Sequence, residues 1–390
     1  MNLASKQLCP GCTACYAVCP VSAIVMQEDR EGFSYPEIDS GKCTNCGCCE
    51  RVCPVLHPAP THEPLAVYAA KNKDDTIRMQ SSSGGIFTLL AQQILKAGGI
   101  VFGAGWSPDW RVVHKSVETE EELADLRGSK YVQSDMGDTF KQVKGILESK
   151  RKVLFSGTPC QIAGLKHYLH YSKLHQHLYN ECLLSVDLIC GAVPSPRVFD
   201  LYKKNKERQY HGKVKRIFFR DKTFGWKKFS LSLMFDNGIK HREDVCTDNY
   251  LRGFISQLFN RPACSNCPCR QLKSSADITI ADYWNVQQKF SDFDDNKGTS
   301  IIMANTLSGV CIVQNILPVC EYVQSDFADV KITNPPVWRS YQPHQKRQVF
   351  FRKLGDENIE TLIDRMLKPS LYRRLRSLAG RIKRKIGEMG

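Results

Sequence analysis

The chain contains the same cysteine motif twice near its start. The motif runs C-x2-C-x2-C-x3-C-P, first from Cys9 to Pro20 and again from Cys43 to Pro54. Thiolates at this spacing are ligands of 4Fe–4S clusters, because cubane iron is bound by soft, negatively charged sulfur. In this arrangement the last cysteine of each motif completes the other cluster. One cluster is predicted on Cys9, Cys12, Cys15 and Cys53, and a second on Cys43, Cys46, Cys49 and Cys19.

Disulfide bonds and zinc sites are the alternative uses of these cysteines. Disulfides are typical of short secreted domains, and no charged segment followed by an apolar one opens this chain. Zinc sites usually pair two C-x2-C units across a longer spacer. The spacing is instead that of a bacterial two-cluster ferredoxin, which predicts a protein that moves electrons. Cys48 lies outside the ligand pattern and is predicted to be a packed bystander.

The composition is that of a soluble globular protein. The chain has 390 residues, 42% of them apolar and 24% charged, which favours two or three domains. Eighteen cysteines without a signal peptide predict a reducing cytoplasm. The formal charge is +14, but residues 365–390 carry nine Lys or Arg against one Glu. A 4Fe–4S cluster with its four thiolates carries a charge of about −2, so the two clusters predicted above and a third in the body would offset about six of the remaining positive charges. The body is then near neutral, and no nucleic-acid-binding surface is expected.

The order of motifs predicts a small module followed by a larger body of α/β or α+β class. In the body, strands such as Val153–Phe155 alternate with helices, which favours a largely parallel sheet. Residues 214–245 alternate apolar and polar positions, which predicts an antiparallel β insertion. The predicted segments are a two-cluster module at 1–56, a Pro-rich linker at 57–64, the body at 65–335 and a basic helical tail at 336–390.

Four cysteines of the body have positions that suit a third site. Cys160 and Cys190 each follow a predicted strand, and the carboxyl edge of an open α/β sheet is where ligands bind. Cys264 and Cys267 form a C-x2-C pair in a Pro-flanked loop. Two edge cysteines and this pair would complete a third four-thiolate site. Buried structural thiols are the alternative, and spacing alone leaves both open.

Six short motifs occur in an order that resembles one protein family. They are Ser82-Ser-Gly-Gly-Ile86, Gly128-Ser-Lys-Tyr131, Gly157-Thr-Pro-Cys-Gln161, Cys190, Cys264-Ser-Asn-Cys267 with Ala276-Asp-Ile278, and Lys297-Gly-Thr-Ser300. This series resembles the coenzyme F420 hydrogenase/dehydrogenase beta-subunit family, here with a fused ferredoxin module. Members are iron–sulfur flavoproteins that bind FAD and pass electrons between clusters and a hydride carrier, the deazaflavin F420.

The resemblance implies two further sites. Cys160, Cys190, Cys264 and Cys267 would hold a third 4Fe–4S cluster beside FAD. The residues implied in flavin binding are Ser82, Ser83, Gly84, Gly85, Ser129, Lys130, Tyr131, Thr158, Pro159 and Asp282.

The flavin interpretation also has a physical basis at Ser83-Gly84-Gly85. A glycine-rich helix start offers backbone N–H groups and the positive end of the helix dipole to a pyrophosphate, although a plain helix cap is the alternative.

Two departures from the family pattern fall near the expected cleft. Cys190-Gly-Ala192 replaces Cys-His-Gly, and Ala281-Asp-Tyr-Trp-Asn285 replaces Gly-Asp-x-Trp-Gly. Both changes therefore bear on the identity of the hydride partner.

The predicted function is an iron–sulfur flavoprotein oxidoreductase. Electrons would pass between a soluble donor or partner oxidoreductase subunit, the clusters, FAD, and a hydride carrier such as F420 or another acceptor. No general acid or base is assigned, because flavin carries the hydride chemistry. The alternatives are a non-catalytic electron-transfer subunit that feeds a partner enzyme, and a reductase that acts on a bound metabolite.

The C-terminal segment shows the pattern of a basic amphipathic helix. Such helices rest on anionic membranes, here the inner face of the cytoplasmic membrane, while a solvated tail or an acidic partner subunit are the alternatives. Its apolar stripe consists of Leu371, Leu375, Leu378, Ile382 and Ile386.

Overall fold

The N-terminal module consists of two cysteine loops, each followed by a short helix, and one β-hairpin. The computed structural model describes residues 3–172 and 174–368. The helices begin after Thr13 and Gly47, both with left-handed φ, so the sequence repeat is also a repeat of backbone conformation. The elements of the module are α1 (Ala14–Val18), β1 (Ile24–Glu28), β2 (Ser34–Ile38) and α2 (Cys48–Arg51).

The body contains an eight-stranded mixed sheet and a three-stranded insertion. Its strands are β3 (Ala66–Asn72), β4 (Ile100–Trp106), β5 (Val112–Val117), β6 (Val153–Gly157), β7 (Leu183–Leu188), β8 (Val214–Asp221), β9 (Ser230–Phe235), β10 (Lys240–Asp244), β11 (Ile278–Asp282), β12 (Ser300–Ala304) and β13 (Cys320–Ser325). The large sheet has the order β13-β3-β12-β11-β7-β6-β4-β5. The insertion has the antiparallel order β10-β9-β8, which confirms the predicted antiparallel insertion and the α/β class of the body.

Only the centre of the large sheet is parallel. The pairs β4–β6, β6–β7 and β7–β11 are parallel, whereas every pair outside this group is antiparallel. The expectation of a largely parallel sheet is therefore wrong at both flanks. At one flank, residues 107–111 join β4 to β5, and so short a connection permits only a hairpin.

Helices cover both faces of the large sheet. The helices of the body, including those that pack against the insertion, are α3 (Asp75–Gln80), α4 (Ile86–Lys96), α5 (Thr139–Glu148), α6 (Pro159–Tyr171), α7 (Gln176–Cys182), α8 (Pro196–Gln209), α9 (Asn249–Ile255), α10 (Leu307–Ile316), α11 (Phe327–Thr333), α12 (Arg347–Arg352) and α13 (Ile359–Leu367). In β6, Val153 and Phe155 pack with α5 and α6, while Leu154 packs with α4 and α10. Burial on both faces explains the continuous apolar sequence of this strand.

The segment predicted as a basic tail, residues 336–390, begins inside the core. Phe350 on α12 and Leu362 and Ile363 on α13 are fully buried against the insertion and α8. The apolar stripe predicted for residues 371–386 lies outside the described residues. Within residues 3–172 and 174–368, no helix combines the length and apolar character that a bilayer crossing requires.

Two helical glycines provide a test of the packing. A Cβ at Gly309 in α10 would lie 2.2 Å from the carbonyl oxygen of Asp277, whereas a Cβ at Gly145 in α5 meets nothing within 4 Å. We expect Gly309→Ala to destabilise the fold by about 1–3 kcal/mol through overpacking. The matched control Gly145→Ala should stabilise it by about 0.5–1 kcal/mol, because alanine favours helix. Anaerobic thermal unfolding would measure both, and equal shifts of the two midpoints would contradict the packing of α10.

Candidate functional site

The first cysteine set lies at the contact between the module and the body. A cavity of about 360 Å³ is lined by all four predicted ligands of this set. Gly11 and Thr13 adopt φ values of 72° and 68°, which bend the loop around the cavity. Cys9 and Cys12 are buried, whereas Cys15 is partly exposed. The set is Cys9, Cys12, Cys15 and Cys53.

The second cysteine set lies nearer to solvent. Its four predicted ligands line a cavity of about 290 Å³. Asn45 and Gly47 repeat the left-handed conformations of Gly11 and Thr13. Cys46 is exposed, so this site is the more accessible of the two. The set is Cys19, Cys43, Cys46 and Cys49, and Cys48 also lines the cavity.

Cys48 takes part in the second site more closely than the sequence predicted. Its sulfur accepts a hydrogen bond from Arg51 at 3.3 Å. Spacing could not reveal this, because the ligand pattern accounts for only four cysteines of the run.

A third cavity, of about 610 Å³, gathers the four cysteines of the body. Cys160 lies in the first turn of α6, and Cys190 follows the end of β7. Cys264 lies in a 3-10 turn, Pro262–Asn266, that Cys267 terminates. All four line the cavity, and so does Cys269, which no predicted site includes. The signal missed there was the C-x-C spacing that it forms with Cys267.

Burial makes three of these four sulfurs costly to ionise. Desolvation raises the pKa of Cys160 to about 12 and that of Cys264 to about 11, and it raises the pKa of Cys190 well above its usual range. A hydrogen bond with Cys269 holds the pKa of Cys267 below its usual range. At neutral pH most of the set would therefore be thiols, and metal binding would release protons. Four soft sulfur donors that line one cavity fit an iron–sulfur cluster.

The first and third cysteine sites adjoin each other. Gly164 lies one turn after Cys160 on the same face of α6. A Cβ at Gly164 would lie 2.9 Å from the sulfur of Cys12, so only glycine lets α1 pack so closely there.

The module is held on the body by several further polar contacts. Arg347 forms a two-pronged ion pair with Glu31, and the Ser195 hydroxyl donates to the Glu31 carbonyl. Gln133 donates to the Pro10 carbonyl at 2.9 Å. The module is therefore packed against the body and is not connected to it by the linker alone.

The serine–glycine loop expected to bind flavin is packed against a second family motif. The Gly84 N–H donates to the Ser300 hydroxyl at 2.9 Å, and the Ser83 hydroxyl donates to the Thr299 carbonyl at 2.7 Å. A Cβ at Gly84 would lie 2.5 Å from the Ala70 carbonyl oxygen. Gly84 thus serves close packing, and its N–H is already used within the protein.

Arg220 is the residue near this loop that sequence reasoning missed. Its guanidinium donates to the Ser82 carbonyl at 3.1 Å, to the Tyr131 hydroxyl at 3.3 Å and to the Asp282 carboxylate at 3.0 Å. Arg220 therefore joins three predicted flavin motifs, while Ser129 joins the same group through hydrogen bonds to the Ser82 hydroxyl. No sequence signal marks it, because β8 belongs to the insertion.

Several donors around the loop have no protein partner. Within the described residues, Arg220 Nε and Thr299 Oγ1 are buried without a hydrogen bond. Helix α4 begins after Gly85, with φ 83°, and has no side-chain cap, so its first N–H groups remain available. These donors fit an anionic group, although the predicted Gly84 amide does not.

The other predicted flavin residues divide into two groups. Thr158 and Pro159 lie at the start of α6, where Pro159 lines the cysteine cavity. Lys130 donates to the carbonyls of Asp125 and Arg127, and burial lowers its pKa to about 7.

Asn285 stands where the family pattern has glycine, and this change preserves the backbone conformation. Its φ is 58°, a left-handed value that glycine and asparagine both adopt. Asn285 can therefore follow the backbone path that a glycine would take at this position.

Comparisons with known proteins identify the family. Residues 67–141 match the N-terminal part, and residues 150–335 the C-terminal part, of the family described as "Coenzyme F420 hydrogenase/dehydrogenase, beta subunit". Residues 8–56 match "4Fe-4S dicluster domain". The chain belongs to the coenzyme F420 hydrogenase/dehydrogenase beta-subunit family. It is an iron–sulfur protein of that family with a dicluster module, which confirms the resemblance drawn from the motifs.

Individual relatives share only part of their length with this chain. The F subunit of the F(420)H(2) dehydrogenase of Methanosarcina mazei is 26% identical over 200 residues, which cover 47% of this chain and 53% of the relative. The B subunit of the Na(+)-translocating ferredoxin:NAD(+) oxidoreductase complex of Acetobacterium woodii is 48% identical over 46 residues, 12% of this chain and 13% of the relative. The chain thus spans about half of the first relative and a small part of the second.

A solved structure also aligns with this chain. A chain of the F420-reducing [NiFe] hydrogenase complex from Methanosarcina barkeri has 18% sequence identity and a TM-score of 0.49. The match covers 77% of this chain and 92% of that chain.

Lys222 offers a test of the serine–glycine loop. Its buried ammonium donates to the carbonyls of Arg78, Ser83 and Lys297, at 2.7–2.8 Å. Lys222→Met should cost about 3 kcal/mol, because it leaves these carbonyls unsatisfied. The control Lys228→Met, at a side chain that is 60% exposed, should change stability by about 0.5 kcal/mol at most. Thermal unfolding would measure the difference, and similar midpoints for both variants would refute the role of Lys222.

Proposed function

We propose that this protein is an iron–sulfur flavoprotein oxidoreductase that passes electrons between its dicluster module and a hydride carrier. The observation that carries the proposal is the succession of three cysteine cavities. The second lies near solvent, the first lies at the contact with the body, and the third adjoins the first across Gly164. Successive sites of this kind suit electron transfer from the surface to the interior.

The twelve predicted cysteines would hold three 4Fe–4S clusters. The four of the body would take the third, with Cys160 and Cys190 fixed by a helix start and a strand end. Bound clusters exchange single electrons, and a bound flavin exchanges a hydride. The buried, apolar walls of the third cavity, such as Ala192, Leu272 and Val337, would keep water from the sulfurs. Exclusion of water in this way influences the reduction potential of a cluster.

FAD would bind against the cradle that Arg220 organises. Arg220 Nε, Thr299 Oγ1 and the start of α4 present donors toward an anionic group. The Asp282 carboxylate orients Arg220 and accepts the Trp226 indole N–H at 3.0 Å. The Trp226 and Trp284 rings stack at 4.7 Å, which gives this region a flat aromatic wall. A polar cradle beside an aromatic wall suits a flavin nucleotide.

The hydride carrier and the redox partner are also proposals. The family description and the first relative both refer to F420, which supports a deazaflavin as the carrier. The exposed Cys46 supports a soluble donor or a partner oxidoreductase subunit at the second cysteine site. Contact of residues 371–386 with an anionic membrane stays a prediction from sequence.

Iron quantitation tests the three-cluster arrangement. The anaerobically purified protein should contain about twelve irons per chain, and Cys160→Ser or Cys264→Ser should reduce this to about eight. The exposed Cys311 and the additional Cys269 serve as controls, and their serine variants should retain about twelve.

About eight irons in the unsubstituted protein would overturn the third cluster. Loss of iron in Cys269→Ser instead of Cys264→Ser would show that the fifth thiol is the ligand.

Flavin extraction tests the second half of the proposal. We expect one FAD per chain, lost in Arg220→Gln and partly retained in Arg220→Lys, while the iron content stays unchanged. The control Lys228→Met lies on the exposed side of the insertion and should retain FAD. Reduction of the bound flavin by deazaflavin, NAD(P)H or reduced ferredoxin would identify the carrier.

Clusters without flavin in the unsubstituted protein would instead support a non-catalytic electron-transfer subunit. The internal use of the Gly84 N–H is the observation that favours that alternative.

A further inference from the structure

Two buried arginines flank the third cysteine site without a carboxylate partner. Arg261 is 2% exposed and Arg270 is 9% exposed. Within the described parts of the chain, neither forms an ion pair. Most other buried cations do, as Arg78 does with Asp295 and Lys206 with Glu360, and Lys222 is the exception. A buried charge without a counter-charge is strongly unfavourable. The pattern therefore calls for negative charge from another source.

Arg261 reaches from the body into the dicluster module. It precedes the turn that carries Cys264, and its guanidinium donates to the Cys9 carbonyl at 2.8 Å. It also donates to Gln133 Oε1 and to the Ser34 carbonyl, both at 2.9 Å. A Cβ at Gly11 would lie 2.8 Å from the guanidinium, so the first cysteine loop wraps closely around it. Arg261 thus lies between the first and third cysteine sites.

Arg270 lies at the third site alone. It lines the cavity and donates to the carbonyls of Cys190 and Gly191, at 2.9 and 2.8 Å. It also donates to the Ser340 hydroxyl at 2.8 Å and to the Pro336 carbonyl. Like those of Arg261, all of these acceptors are neutral.

We propose that Arg261 and Arg270 are positioning residues whose charges compensate the thiolates of the third cluster, and that Arg261 also compensates the first. The inference rests on the proposed third cluster. A 4Fe–4S centre with four thiolates carries a net charge of about −2, and reduction adds one more negative charge. Fixed positive charges beside it therefore favour the reduced form. Arg261 would raise the reduction potentials of the first and third centres together, so that the two potentials stay close to each other.

Redox titration followed by electron paramagnetic resonance tests this inference. Arg270→Gln should lower the equilibrium constant for reduction of the third centre about tenfold, or ~59 mV for a one-electron couple, and leave the first unchanged. Arg261→Gln should lower the equilibrium constants for reduction of both the first and the third centre. Arg261→Lys and Arg270→Lys, which keep the charge, should recover most of each shift.

The control is the double variant Glu31→Gln/Arg347→Gln. It removes a partly buried arginine of the same contact together with its carboxylate, so both potentials should stay within error of the unsubstituted protein. Equal potentials in Arg261→Gln and the unsubstituted protein, each with about twelve irons, would overturn the inference. If Arg261→Gln does not fold, an unchanged third potential in Arg270→Gln would overturn it.

The iron content of the unsubstituted protein separates the two proposals. About eight irons would refute the third cluster before any arginine is changed, whereas about twelve irons with unshifted potentials would refute only the role of the arginines.

Discussion

The close contact between Cys12 and Gly164 is the interaction on which the arrangement of sites depends. A side chain at position 164 would push α1 away from α6, and with it the whole first cysteine loop. Because Cys160 lies one turn earlier on the same face of α6, this contact also sets the separation of the first and third cysteine sites. The ion pair of Arg347 with Glu31 holds the module on the body at a second place.

Burial of sulfur imposes a second constraint. Cavities lined by several desolvated thiols are unfavourable places for charge, as the raised pKa values of Cys160 and Cys190 show. Such cavities become stable when metal and protein cations balance the thiolates. Arg261 and Arg270 are placed where that balance is needed, and their acceptors are neutral oxygens. In the proposed third site the body would therefore contribute both ligands and charge.

The region proposed to bind flavin contains a motif that already serves packing. The Ser82–Gly85 loop, the Ser129 turn and Ser300 are joined by their own hydrogen bonds, which reduces the number of donors left for a ligand. Arg220 supplies the missing connection from the insertion, and its Nε remains without a partner. The antiparallel insertion thus completes a surface that the α/β sheet alone does not form.

The sequence by itself determined the dicluster module and the family. The spacing of cysteines within each motif is a local feature, which does not depend on how the rest of the chain packs. It also predicted that Cys160, Cys190, Cys264 and Cys267 belong together, since strand ends and a C-x2-C loop are readable features. Only the tertiary structure placed Arg261, Arg220 and Cys269 at these sites, because their partners are distant in sequence. It also decided the antiparallel flanks of the sheet and the buried positions of α12 and α13. The direction of strand pairing and the burial of these helices depend on contacts between segments that are distant in sequence, so they cannot be inferred from any one segment alone.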